Sequence, residues 1–341
     1  MRVSFSPGIT LAHRSTINHL VKGFPQIYGL ELSKPTLGNK LWHLENNLPD
    51  VGLSFQFLDF RNREQLGYAI ATAPFIDIPL NQKVKASRLV FRLSFGVAYM
   101  TNPFDPITNH KNNAISGRFN AFVQFKWFWH LYLNKNLRME PGFNFTHSSN
   151  ARANVPNLGL NMISMGLGLN FRTSSKTPAP APQQPDSNTR NRTRNELMLV
   201  ASTGFTRRIH NGEMLPCNML SLSYQRNVRN THKFSAGLDC FYDANYQIDY
   251  YNKFNTYPQG MQQLRMSVRL GYSYNAGRIS FPVELGYYVY QTYVPDATIV
   301  SRLGIRYYSK SGLVAHFGLR THYAVAYNFE YGLGYRYFIG K

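Results

Sequence analysis

Apolar and polar residues alternate along most of this chain, as in Leu89-Val90-Phe91-Arg92-Leu93-Ser94-Phe95-Gly96-Val97. A period of two marks a strand whose two faces meet different surroundings. The pattern predicts strands near Val3 to Ala12, Gln26 to Leu32, Gly52 to Phe60, Gly67 to Ile78, Arg88 to Tyr99, Ser116 to Phe128, Arg138 to Ser149 and Ile163 to Arg172. It then stops. Residues 173–195 hold Pro178, Pro180, Pro182 and Pro185 and no large apolar side chain, so they are expected to form a Pro-rich linker. Alternation resumes near Glu196 to Arg207, Met219 to Val228, Phe234 to Tyr242, Leu264 to Tyr274, Ile279 to Tyr290, Thr298 to Tyr308, Leu313 to His322 and Ala326 to Ile339.

Many of these segments run to about ten residues, the length a tilted membrane-spanning strand needs. The two halves end alike, in Gly166-Leu167-Gly168-Leu169-Asn170-Phe171 and Gly332-Leu333-Gly334-Tyr335-Arg336-Tyr337-Phe338, which suggests a repeated domain. The expected fold is therefore all-β: two tandem eight-stranded antiparallel transmembrane β-barrels, residues 1–172 and 196–341. Each would have an interior filled by side chains. The alternative is one sixteen-stranded barrel with 173–195 as a long loop.

Charge narrows the partners. The chain has 37 Lys and Arg against 17 Asp and Glu, a formal net charge of +20. Such an excess favours polyanions, either nucleic acid or the phosphates of a lipid surface, and the barrel pattern selects the lipid. Arg88, Arg92 and Arg138 are candidates for binding lipid phosphates. No run of about 18 apolar residues marks a transmembrane helix. The start, MRVSFSPGITLAHRS, lacks a signal-peptide core, so export to an outer membrane is expected to use a leader not included in this sequence. Cys217 and Cys240 are too few for a disulfide framework and too far apart for a metal motif; they either pair in an oxidising compartment or remain small unpaired core residues. Without a phosphate loop, a Cys/His cluster or paired carboxylates, no cofactor and no metal is expected. Lys126-Trp127-Phe128-Trp129-His130 and Asp249-Tyr250-Tyr251 read as interfacial aromatic girdles or as ordinary strand packing.

The candidate chemistry sits at the end of the seventh strand. Alternation puts Phe143, Phe145, His147 and Ser149 on one face and Asn144, Thr146 and Ser148 on the other. A greasy face ending in a polar pair, backed by a polar face, fits a barrel in lipid with its chemistry on the outer wall. Residues two apart on a strand have Cβ atoms roughly 6 to 7 Å apart, within reach of a hydrogen bond between side chains that lean together. Serine needs a base to become a nucleophile, and histidine suits that task near neutrality. Asn150 and the backbone around Ala151 are candidate donors for a developing oxyanion. Asn157, in the turn Val155-Pro156-Asn157-Leu158-Gly159, either reaches the same place or stabilises the turn.

The string His147-x-Ser149-Asn150-Ala151, then Pro156-Asn157-x-Gly159, resembles the signature of the PagL family of outer-membrane lipid A deacylases. The resemblance spans roughly residues 1–172 and rests chiefly on 145–171. It implies an eight-stranded barrel that removes an ester-linked acyl chain from the lipid A of lipopolysaccharide, with a Ser and a His on the lipid-facing wall. Ser149 is then the nucleophile and His147 the general base, with Asn150 and Asn157 near the oxyanion site. Asn161 stands where the best-known members carry a glutamate that orients the histidine. An amide can hold the imidazole tautomer but cannot stabilise an imidazolium as an anion would. That leaves a triad of Ser149, His147 and Asn161 with weaker electrostatic support, or a non-catalytic barrel with a structural, adhesion or assembly role. Glu140, seven residues before His147, is too distant to substitute. In the second half the matching stretch is Thr321-His322-Tyr323-Ala324, with alanine in the serine place. The second barrel is accordingly expected to be a degenerate copy without a nucleophile, its His322 an interface residue.

Overall fold

The computed structural model describes residues 1–81, 87–172, 195–295, 297–323 and 325–339. Backbone N–H and C=O groups find no partner in hydrocarbon, so strands that cross a membrane must close on themselves. Both halves of this chain do so. The first barrel contains β1 (Arg2–Leu11), β2 (Gln26–Pro35), β3 (Asp50–Asp59), β4 (Tyr68–Pro79), β5 (Ser87–Met100), β6 (Phe119–Tyr132), β7 (Leu137–Ser149) and β8 (Leu160–Phe171). Each strand pairs antiparallel with the next, and β8 returns to β1. A five-residue helix α1 (Leu41–Glu45) lies between β2 and β3. The second barrel contains β9 (Asn195–Thr206), β10 (Leu215–Arg229), β11 (His232–Asp243), β12 (Leu264–Ala276), β13 (Ile279–Tyr290), β14 (Ile299–Tyr308), β15 (Leu313–His322) and β16 (Val325–Ile339), and β16 closes onto β9. Two closures replace the single sixteen-stranded alternative.

The faces follow the alternation, turned inside out relative to a water-soluble barrel. Outward positions carry Val3, Phe5, Leu30, Phe55, Phe57 and Phe143, all substantially exposed. Inward positions carry Glu31, Gln56, Asp77, Arg92, Gln124 and Asn144, all buried. At one end the interior is an ion network. Arg92 grips Asp77 through Nε (2.5 Å) and Nη2 (2.7 Å) and reaches Glu31 at 2.7 Å, while Arg2 pairs with Glu31 and Glu140. Towards the other end the filling turns apolar: Leu58, Phe60, Leu66, Ala71, Met100 and Met162 pack with Ile17, Ala114 and Ile115 from the loops. The second barrel repeats the charged filling, with Arg265 and Arg320 on Asp243, and Arg302 on Asp239 and Glu284.

Several sequence expectations are corrected. Arg92 does not face lipid phosphates, because alternation points it inward, where it is fully buried. Arg138 is committed to Asp50 (3.1 Å) and Glu140 (2.6 Å), and Arg88 donates to the Asn47 carbonyl. In the run from Lys126 to His130 only Trp127 and Trp129 point outward, and Lys126, Phe128 and His130 are interior. Asp249, Tyr250 and Tyr251 lie on a helix, α2 (Ala244–Phe254), rather than a strand, with Tyr246 and Tyr250 burying one of its faces. Cys217 is buried inside the second barrel while Cys240 alternates outward, so the two are free and on opposite faces. His322 is not an interface residue either: it is 5% exposed, points into the second barrel and meets the Tyr288 hydroxyl at 3.0 Å. Ala324 and residues 173–194 of the expected linker lie outside the described residues.

Buried ion pairs cost dearly when only one partner is removed, because the other charge is left uncompensated. Asp77→Asn, which leaves Arg2 and Arg92 short of a carboxylate, should lower stability by about 3 kcal/mol. Urea unfolding from detergent micelles measures this as a lower midpoint, and an unchanged midpoint would show that the network contributes little.

Candidate active site

The site lies where β7 and β8 reach the loop end of the first barrel. Residues directly opposite each other in an antiparallel pair share a face, and His147 is the register partner of Asn161. Both belong to the outward set, as does Ser149 two residues beyond His147. The geometry follows. His147 Nδ1 lies 2.6 Å from Asn161 Oδ1, and His147 Nε2 lies 3.0 Å from Ser149 Oγ. An amide oxygen only accepts, so Nδ1 carries the imidazole proton and Nε2 presents its lone pair to the serine hydroxyl. That is the tautomer a general base requires. Ser149 is only 3% exposed, although it ends a lipid-facing register.

The shelter comes from the segment 150–159. Ala151 and Arg152 have φ of 49° and 60°, which turns the chain sharply after β7. Gly159, at φ 77°, brings it back beneath the imidazole. A Cβ there would sit 3.0 Å from His147 Cε1 and 3.4 Å from Ser149 Cβ, so both the backbone conformation and the close approach call for glycine. The loop between β5 and β6 clamps this segment. Gly159 N donates to Ala114 O (2.9 Å), Leu158 N to Asn113 O (3.3 Å), and Asn154 Nδ2 to Ser116 O (3.2 Å).

Two of the expected oxyanion donors, Asn150 and Asn157, are joined by a hydrogen bond. Asn150 donates its peptide N–H to Asn157 Oδ1 (3.1 Å) and its side-chain Nδ2 to Ser116 Oγ (3.0 Å). Its amide thus braces the loop, and because a primary amide carries two N–H groups the bond to Ser116 leaves its expected place near the oxyanion site open. Asn157 forms the other half of this link. Its Oδ1 is tied to the peptide immediately after Ser149, while its Nδ2 is buried and has no hydrogen-bond partner among the described residues. A buried donor left unpaired is a candidate to receive a developing negative charge. Glu140 takes no part, being inside the barrel with Arg2 and Arg138.

Four residues escaped the sequence reading: Ser116, Asn113 and Ala114 through their carbonyls, and His13. His13 follows β1 and sits against Asn161, with His13 Nδ1 3.1 Å from Asn161 Nδ2. Neither a motif nor spacing links it to His147. Only the pairing of β1 with β8, which sets Leu11 opposite Asn161, brings it there. Among the described residues no cluster of three or more His, Cys, Asp or Glu side chains is arranged to hold a metal.

Comparison with known proteins agrees with this architecture. The family model for lipid A 3-O-deacylase (PagL) matches residues 26–170, and that for the C-terminal domain of acyloxyacyl hydrolase matches residues 195–340. No curated protein matches the chain. Solved structures that align include a triple mutant of the Rhodopseudomonas blastica porin, 9% identical over 98% of each chain with a TM-score of 0.19. A second mutant of the same porin is 8% identical over 98% of each chain, with a TM-score of 0.20. Scores this low carry no argument. The two family matches fall one on each barrel, and together with the site signature at residues 147–159 they show that the chain belongs to the PagL-type lipid A 3-O-deacylase family.

Proposed function

We propose that this protein is an outer-membrane serine esterase that removes an ester-linked acyl chain from the lipid A of lipopolysaccharide. The observation that carries the reading is His147 bridging Ser149 and Asn161 by hydrogen bonds at the lipid-facing wall of the first barrel. An ester bond of lipid A lies at the membrane interface with its acyl chain in hydrocarbon. A nucleophile on the outer wall meets it without drawing the lipid into water.

In this mechanism His147 Nε2 takes the proton of Ser149 as Oγ bonds to the ester carbonyl carbon. The carbonyl oxygen becomes an oxyanion, received by Asn157 Nδ2 and the peptide around Ala151. The carbon–oxygen bond to the sugar then breaks, and His147 gives its proton to the departing hydroxyl. Water, deprotonated by the same imidazole, attacks the acyl-enzyme, and collapse of the second tetrahedral intermediate frees the fatty acid and restores Ser149. Asn161 Oδ1 keeps the imidazole in the productive tautomer throughout. Outward Phe143, Ile163 and Met165 match the acyl chain, and exposed Arg14 and Lys111 in the loops supply cations for the lipid A phosphates.

Catalysis is assigned to the first barrel alone. In the second, His322 faces the interior and meets the Tyr288 hydroxyl, so among the described residues it forms no outward pair with a serine.

Purified protein in detergent should release free fatty acid from lipid A, and Ser149→Ala should lower the rate by at least about a thousandfold. Equal release by Ser149→Ala would end the serine-esterase reading. Asn157→Ala should lower kcat by about 100-fold or more with KM little changed, the usual result of deleting an oxyanion donor. Asn161→Glu should raise kcat about tenfold or more, since a carboxylate supports the imidazolium that an amide cannot. An unchanged rate would remove Asn161 from the orienting role. His322→Phe should leave fatty-acid release at the parent level, and a loss would bring the second barrel into the chemistry.

A further inference from the structure

We infer that His13 is a positioning residue of this site, locking the Asn161 amide in the one orientation that lets it serve in place of an acid. The inference rests on the roles proposed above for Ser149 and His147. A carboxylate offers an oxygen to His147 Nδ1 whichever way it turns. An amide does not: rotated by half a turn, Asn161 would present its NH2 group to Nδ1. His147 would then have to accept there and carry its proton on Nε2, with an N–H facing Ser149 and no lone pair to take the hydroxyl proton. A site built on asparagine therefore needs something to distinguish the two ends of the amide.

His13 makes the distinction. Its Nε2 lies 3.1 Å from the carbonyl oxygen of Leu158, a group that can only accept, so Nε2 bears the ring proton. Its Nδ1 is left with a lone pair, 3.1 Å from Asn161 Nδ2. The Leu11 carbonyl is also near Nδ1, at 3.4 Å, but a neutral imidazole has one N–H and the shorter contact claims it. The side chains then form one directed series. Ser149 Oγ–H donates to His147 Nε2, His147 Nδ1–H to Asn161 Oδ1, Asn161 Nδ2–H to His13 Nδ1, and His13 Nε2–H to Leu158 O. Every donor meets an acceptor. Reversing the Asn161 amide would set donor against donor at His147 or force both histidines into their other tautomers. The series ends on the backbone of the segment that carries Asn157 and Gly159, so it also ties the base to the loop that shelters the nucleophile. His13 precedes the segment matched by the deacylase family model, residues 26–170.

The test uses the full chain in detergent, with barrel closure of each variant checked by its heat-modifiable gel mobility. His13→Leu should lower kcat by about 10- to 100-fold, the usual cost of deleting a group that orients a working histidine, and leave KM unchanged. His13→Asn, which returns an acceptor oxygen near the position of Nδ1, should recover most of that loss. In the Asn161→Glu background, where neither end of the side chain is wrong, His13→Leu should cost far less. Nitrogen-15 NMR of the imidazoles supplies a readout independent of turnover: His147 should hold its proton on Nδ1 in the parent and shift towards Nε2 in His13→Leu. Loss of equal size in both backgrounds, no loss at all, or an unmoved His147 tautomer would overturn the role of His13. A parent protein that releases no fatty acid would sink the esterase reading instead, and the NMR comparison would still decide on His13.

Discussion

Closure of the first sheet, β8 onto β1, is the constraint on which the rest of this structure depends. In lipid it satisfies the last row of backbone groups, which would otherwise lie unpaired in hydrocarbon. The same pairing sets Leu11 opposite Asn161 and Arg2 opposite Asn170. At one end of the seam, Arg2 enters the interior ion network with Glu31 and Glu140. At the other, His13 comes against Asn161. One ladder of hydrogen bonds thus delivers a cation to the filling and a histidine to the candidate site, from residues that follow each other closely in the chain.

Filling a lipid-embedded barrel with charge is economical only as a network. Arg92 alone would be prohibitive to bury, but with Asp77 and Glu31 each charge finds an opposite at hydrogen-bonding distance. The division of the interior also serves the site. The ions occupy one end, and an apolar cluster at the other receives Ile17, Ala114 and Ile115 from the loops. Those loops are held from below by packing, and from the side by the bonds between 113–116 and 150–159. A nucleophile at the end of a strand needs such a frame, because a loop free to drift would not keep Gly159 under the imidazole.

Much of this was legible in the sequence, and the reasons for what was not are physical. The two-residue period located all sixteen strands, since each turns one face outward and one into a barrel interior, and the two faces differ in polarity. It gave the facing of Phe143, Asn144, His147 and Ser149 for the same reason. Asp249-Tyr250-Tyr251 read as an aromatic girdle or strand packing because tyrosines favour strands, yet Tyr246 and Tyr250 are spaced for one face of a helix. His322 was matched to His147 through a shared Thr-His pair. In β15 the inward set runs through Arg320 to His322, and in β7 it runs through Thr146 to Ser148, so the same two letters stand on opposite faces. A displacement of one residue is invisible to a short sequence match and reverses every side chain. Arg92 was read as a lipid ligand because composition records charge but not facing.

Asn161 was legible both as a departure from the family pattern and as the third member of a triad, but its second neighbour was not, since His13 lies 148 residues away in sequence. An acid in that position carries its own orientation and its own charge. An amide carries neither, and has to borrow the first from its surroundings. The series from Ser149 through His147 and Asn161 to His13 and the Leu158 carbonyl lends that orientation, with each bond polarising the next in the same sense. The missing charge it cannot lend. An imidazolium at His147 would face an oxygen dipole where an anion would hold it more tightly, so the site keeps the geometry of a Ser-His base with a weaker hold on the charged intermediate. Orientation and charge, which a single glutamate combines, are here separable, and only the first has been rebuilt from neighbouring groups.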